Sequence, residues 1–154
     1  MTPDHTNDPS FRTWVTGDGP GAWALQALPY GVITTGKRVA ADLQVGGRGE
    51  VGGPAEVPRL AVAIGGHALD LCALTATRLL DDLPPPLVDA ARAPCLNPLL
   101  ALTPPEWTAL RHRLFSLLVD DAAGETSARD RVRECLVPRT AARMHLPMAI
   151  GDYT

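Results

Sequence analysis

No run of apolar residues in this 154-residue chain reaches the roughly 18 that a membrane-spanning helix needs. The opening stretch, Met1 to Ser10, has neither a basic start nor an apolar centre, so it does not read as a secretory signal. Positive charge is not in surplus: 14 Lys and Arg stand against 17 Asp and Glu, a formal net charge of -3. That balance removes any general electrostatic case for nucleic acid or an anionic membrane. Cysteine is scarce. Cys72, Cys95 and Cys135 are odd in number and widely spaced, with no CxxC, so neither a disulfide framework nor a zinc site is indicated. Reduced, buried thiols in a cytoplasmic protein are the expectation. Internal repeats are also missing.

Catalytic signatures are equally thin. His5, His67, His112 and His145 are scattered, and none forms the i, i+4 pair of a helical metal site. His67 and His112 are expected at the surface, and His145 buried with one hydrogen bond. The acid pairs Asp81-Asp82 and Asp120-Asp121 read as solvated ends of elements. Serines are few (Ser10, Ser116, Ser127) and no GxSxG elbow occurs. Gly46-Gly47-Arg48-Gly49 and Gly52-Gly53 lack the lysine and hydroxyl that complete a phosphate loop, so they read as flexible chain.

What is present is a globular composition, 45% apolar and 20% charged, in a length that suits one domain with its own core. The 14 glycines and 15 prolines predict many turns and short elements. Residues 1–10 read as a disordered tail. Trp14 and Trp23 flank a turn at Gly17-Asp18-Gly19-Pro20-Gly21. Leu28 to Thr34 reads as a short strand, and residues 36–58 as a surface loop or insertion. Arg59 to Ile64 and His67 to Leu71 are strand-like runs about Gly65-Gly66, a predicted β-hairpin. Leu60, Val62 and Ile64 share one face, as do Leu69 and Leu71.

Helical signals follow. A helical stretch over Leu79 to Leu83 is expected to stop at Pro84-Pro85-Pro86. Leu96 to Leu102 suits one or two turns. Thr103-Pro104-Pro105-Glu106 has the form of a capping box. Beyond it, Trp107, Leu110, Leu114, Leu117 and Leu118 line one helical face, with Arg111 and Arg113 beside it in water. That helix should end near Asp120-Asp121, before Gly124. A polar helix is expected over Ser127 to Cys135, a connector over Arg139 to Arg143, and an apolar, turn-like end from Met144 to Thr154.

Three stretches in this order resemble the fumarylacetoacetase family. Leu28-Pro29-Tyr30-Gly31-Val32 is similar to the start of that family's small domain. Arg59 to Gly65 with Leu69-Asp70-Leu71 is similar to its first hairpin. Met144 to Thr154 is very similar to its segment leading into the catalytic part. The resemblance spans about residues 23 to 154.

The family consists of two-domain homodimeric hydrolases that split 4-fumarylacetoacetate into fumarate and acetoacetate in tyrosine and phenylalanine breakdown. The resemblance therefore implies an α+β fold: a small SH3-like β-barrel with appended helices. It implies residues 1–22 as an N-terminal tail, 23–140 as the N-terminal domain, and 141–154 as the start of a linker into a catalytic domain that this chain lacks. The family's divalent metal, calcium or magnesium, and its general base belong to that other part. On this reading no residue of this chain is catalytic or a metal ligand, and the chain alone is inactive. Met144, His145, Leu146, Pro147, Ile150, Gly151, Asp152 and Tyr153 would form the domain junction, with the catalytic domain as partner. The rival expectation is a stand-alone, non-catalytic interaction module. A weaker rival is another enzyme of the wider superfamily, acting on a different β-keto or acylpyruvate acid.

Overall fold

The computed structural model describes residues 4–17, 22–35, 56–121 and 126–151. All but Gly17 of the expected turn at Gly17–Gly21, nearly all of the expected loop at 36–58, its glycine runs, and the positions of Asp152 and Tyr153 lie outside the described residues.

The hairpin forms as its alternation predicts. Strands β2 (Arg59–Ile64) and β3 (His67–Asp70) pair antiparallel, Ile64 opposite His67, with Gly65-Gly66 as the whole turn. Gly65 has φ +53, and a Cβ there would meet the Thr16 carbonyl oxygen at 2.9 Å. Only glycine serves both demands. Strand β1 (Tyr30–Thr34) pairs with β2, Val32 opposite Leu60. The edges are supplied late in the chain, by β4 (Leu136–Pro138) against β3 and β5 (Arg143–His145) against β1. The result is a five-stranded antiparallel sheet, order β4-β3-β2-β1-β5, curled into a half-barrel. The fold class is thus α+β with a partial barrel.

Period-two alternation gives the sheet two buried faces. Leu60, Val62, Ile64 and Leu69 join the main core, while Ile33, Ala61, Ala68 and Val137 form a smaller cluster behind it. The main core is closed by helices. Asp70 ends β3 and caps α1 (Leu71–Ala76), its carboxylate accepting from the Ala73 N–H at 3.0 Å. Residues 77–82 are turns, so the expected helix over Leu79 to Leu83 is absent. The triple proline instead opens α2 (Pro85–Ala91). Proline lacks an N–H that the first helical turn does not use, so the residues that stop one helix can start the next.

The short α3 (Asn97–Leu100) matches the expected turns, and α4 (Pro104–Leu118) matches the capping box. The Glu106 carboxylate accepts from the Thr103 N–H and hydroxyl, both at 2.8 Å. Leu110, Leu114, Leu117 and Leu118 are buried as expected, with Phe115 beside them, but Trp107 stays 39% exposed. Its indole donates to the Leu99 carbonyl at 2.7 Å, which holds the ring at the rim. Helix α5 (Thr126–Glu134) buries Val132, and its Arg129 and Arg133 lie over the Trp14 ring.

The N-terminal segment departs from the tail expectation. Residues 5–7 form a 3-10 turn capped by Asp4, and Thr6 is fully buried. Arg111 holds that turn to α4, donating to Thr6 Oγ1 at 2.9 Å, Asn7 Oδ1 at 3.2 Å and the Gln26 carbonyl at 2.7 Å. Arg113 likewise reaches back to the Leu79 carbonyl at 2.7 Å and Asp82 at 3.2 Å. Both arginines are half-buried clamps rather than solvated flanks. A polar segment gave no sign of order because its partners lie about a hundred residues away.

Candidate interaction surface

The expected junction residues fall on β5 and the extended chain after it. Two backbone contacts and one side chain place that chain. Val32, Ile33 and Thr34 of β1 pair with His145, Met144 and Arg143. The Pro147 carbonyl accepts from the Leu96 N–H at 2.8 Å. The Asn97 side chain then grips Ala149 on both sides, its amide donating to the Ala149 carbonyl and its oxygen accepting the Ala149 N–H, each at 2.9 Å.

Every second side chain along this course is apolar and open to solvent. Met144 is 67%, Leu146 81%, Met148 49% and Ile150 76% exposed. The strand ends at His145 and the chain bends at 147 and 148, so these four side chains follow one another along an irregular course rather than lining one strand face. Of the residues between, His145 is half-buried with its Nε2 2.9 Å from Thr34 Oγ1, Pro147 is half-buried, and Ala149 is exposed but held through its backbone by Asn97. His145 was expected to be buried with one hydrogen bond; the hydrogen bond is there, but the ring is only half-buried. Gly151 is exposed, whereas Asp152 and Tyr153 are outside the described residues. Met148 was absent from the expected junction set, and Asn97 was not recognised as its clamp. The alternation Met-x-Leu-x-Met-x-Ile was legible, but the amide at position 97 had no local pattern to reveal it.

Four exposed apolar side chains in a row, held by backbone bonds rather than by their own burial, make a surface suited to docking. It offers van der Waals contact and desolvation, not chemistry.

The polar groups elsewhere are mostly engaged. Arg59 lies buried at the start of β2, 2.6 Å from Asp70 and 2.9 Å from Glu56. Asp70 is therefore both ion-pair partner and helix cap. Thr35 also binds Glu56, through its hydroxyl at 2.8 Å. Burial pushes the Cys135 thiol up to about 12 and raises that of Cys72, which leaves both protonated and unreactive near neutrality. His67 is half-buried, its Nδ1 3.2 Å from the Thr16 carbonyl.

Among the described residues, one trio of metal-capable side chains comes together: Asp4, His5 and His112. Two imidazole nitrogens and one carboxylate do not fit calcium or magnesium, which require a shell of oxygen ligands.

The family described as Fumarylacetoacetase N-terminal matches residues 49–147, the span from before β2 through β5. The chain belongs to that family. It is 35% identical over 143 residues to the fumarylacetoacetase of Oryza sativa subsp. japonica, covering 88% of this chain and 28% of that protein. It is 32% identical to the Arabidopsis thaliana enzyme over 147 residues, 94% of this chain and 30% of the relative. The Homo sapiens fumarylacetoacetase is 32% identical over 133 residues, 84% of this chain and 27% of the relative. The chain thus spans under a third of the length of these curated relatives. The family match ends at Pro147, within the apolar row.

Proposed function

We propose that this fumarylacetoacetase-family chain is the small, SH3-like domain of a carbon–carbon hydrolase, and that the row Met144, Leu146, Met148 and Ile150 seats the hydrolytic part of that enzyme. The observation that carries this reading is the apolar row itself, ordered by Asn97 and β1 yet left in water where the family match runs out. The parent activity would be cleavage of 4-fumarylacetoacetate to fumarate and acetoacetate, in a cytoplasmic homodimer. That hydrolysis needs a polarised carbonyl and a base positioned on water. In this chain Asp70 and Glu56 are held by Arg59, and His145 by Thr34. The role assigned to it is therefore packing and positioning, with calcium or magnesium and the base supplied by the rest of the enzyme.

Two measurements test this. The purified chain, given fumarylacetoacetate with magnesium or calcium, should consume no substrate above background; metal-dependent turnover by the chain alone would overturn the assignment. A chimera in which this chain replaces the matched portion of the rice enzyme should recover metal-dependent hydrolysis. Leu146→Asp with Ile150→Asp should abolish that recovery. An inactive chimera whose parts are each folded would favour the stand-alone interaction module instead.

A further inference from the structure

We propose that Asp4, His5 and His112 form a binding site for a divalent transition metal of the zinc type, which clasps the N-terminal segment to α4. This goes beyond the hydrolase reading and is independent of it. The three residues come from two stretches about a hundred positions apart, and the fold brings one ligand atom of each within 4.8 Å of the others. Asp4 Oδ2 lies 3.0 Å from His112 Nε2, and Asp4 Oδ1 lies 3.6 Å from His5 Nδ1. Zinc bound tetrahedrally at about 2.0–2.1 Å sets its ligands roughly 3.3–3.4 Å apart. With one ligand atom from each residue the trio lies within 4.8 Å, so these partly exposed side chains need draw in only slightly to close around an ion.

The donor set points to the same class of ion. Two imidazoles and a carboxylate suit zinc and its neighbours, and are poor ligands for hard alkaline-earth cations.

Each ligand is also positioned by something other than the ion. The Asp4 carboxylate accepts the Thr6 N–H at 2.9 Å as a cap. The His5 ring stands edge-on to Phe115 with centroids 5.6 Å apart, and 5.0 Å from the His112 ring. His112 projects from the middle of α4, a rigid fifteen-residue helix. His5 is exposed and the other two are half-exposed, which leaves the outer side open to a water as fourth ligand.

The test uses the full chain, stripped by chelator, titrated with zinc chloride by calorimetry and with cobalt chloride by absorbance. One zinc per chain is expected, together with a rise in melting temperature in excess metal, because the ion binds only the folded arrangement. Asp4→Asn keeps a good helix-cap acceptor and should leave the segment folded, yet it removes the anionic ligand. Asp4→Asn and His112→Gln should each weaken zinc by more than about tenfold, the lower end of what losing even an outer partner of a ligand costs. His67→Gln should change nothing. The proposal fails if the parent chain binds no zinc stoichiometrically, or if Asp4→Asn, folded by circular dichroism, binds as the parent does. It also fails if cobalt shows a thiolate charge-transfer band, which would place the ion on cysteine.

Discussion

Arg59 and Asp70 carry opposite charges into a place that water barely reaches, and the pair is stable there because both are also hydrogen-bonded to neighbours. Removing one partner strands the other. Asp70→Asn preserves a cap for α1 but leaves Arg59 short of its shorter ion pair, and should cost about 3 kcal/mol in urea unfolding. Asp70→Ala should cost roughly 1 kcal/mol more, since the cap goes too. A loss under about 1 kcal/mol for Asp70→Asn would show that Glu56 alone satisfies the guanidinium. Glu106 is a second residue with a legible role. The Thr103 N–H and hydroxyl hold its carboxyl below the ordinary range. A depressed folded value means that the stabilisation is present above the unfolded value and disappears as pH falls through the folded one. Between about pH 6 and pH 3 the melting temperature of the parent should therefore fall more steeply than that of Glu106→Gln, which keeps a capping group without the titration. Equal slopes would remove Glu106 from the acid response.

At the scale of elements, α4 shows that one stripe of side chains can hold two kinds of position. Leu114 is fully buried in the main core, whereas Trp107 sits at the rim with its indole bonded to Leu99. Leu114→Ala should destabilise by about 2–5 kcal/mol, the range for a leucine truncated in a close-packed core. Trp107→Ala should cost less despite the larger side chain, because much of that ring is already hydrated. Equal losses would mean that the Trp107 ring is as firmly packed as Leu114. The extended chain after β5 behaves differently, because its order rests on backbone contacts and one amide. Asn97→Ala removes both bonds to Ala149 and should speed hydrogen exchange at the Ala149 amide. Global stability should fall by only about 1 kcal/mol, since this chain contributes little burial of its own. Unchanged exchange at Ala149 would show that β5 and Pro147 suffice to hold the segment.

For the molecule as a whole, the exposed row sets how the chain behaves in solution. Met144, Leu146, Met148 and Ile150 present apolar surface beside the edge strand β5, a combination that invites self-association. Replacing Leu146 and Ile150 with serine should raise the monodisperse fraction on size exclusion while leaving the melting temperature nearly unchanged, as for exposed sites in general. If instead the melting temperature drops by many degrees, these side chains belong to the domain's own packing and not to a docking face. None of the described helices is long and apolar enough to cross a membrane.

The hairpin, the capping box and the apolar face of α4 were readable in the sequence because each is a local rule. Glycine next to glycine between alternating runs, threonine three before glutamate, and leucines at helical spacing act within a few residues. The family was legible in another way, from the resemblance carried by Leu28 to Val32, Arg59 to Leu71 and Met144 to Thr154. Strands β4 and β5 are three residues each, too short for alternation to register, and exist because β3 and β1 offer open edges to pair with. The order of Asp4 to Asn7 depends on Arg111, the order of Ala149 on Asn97, and the meeting of His5 with His112 on both the N-terminal turn and α4. Local patterning determined the hairpin, the capping box and α4, and the resemblance of three stretches pointed to the family. Which polar side chains would find one another across the chain was decided only when the core closed and brought distant segments within hydrogen-bonding reach.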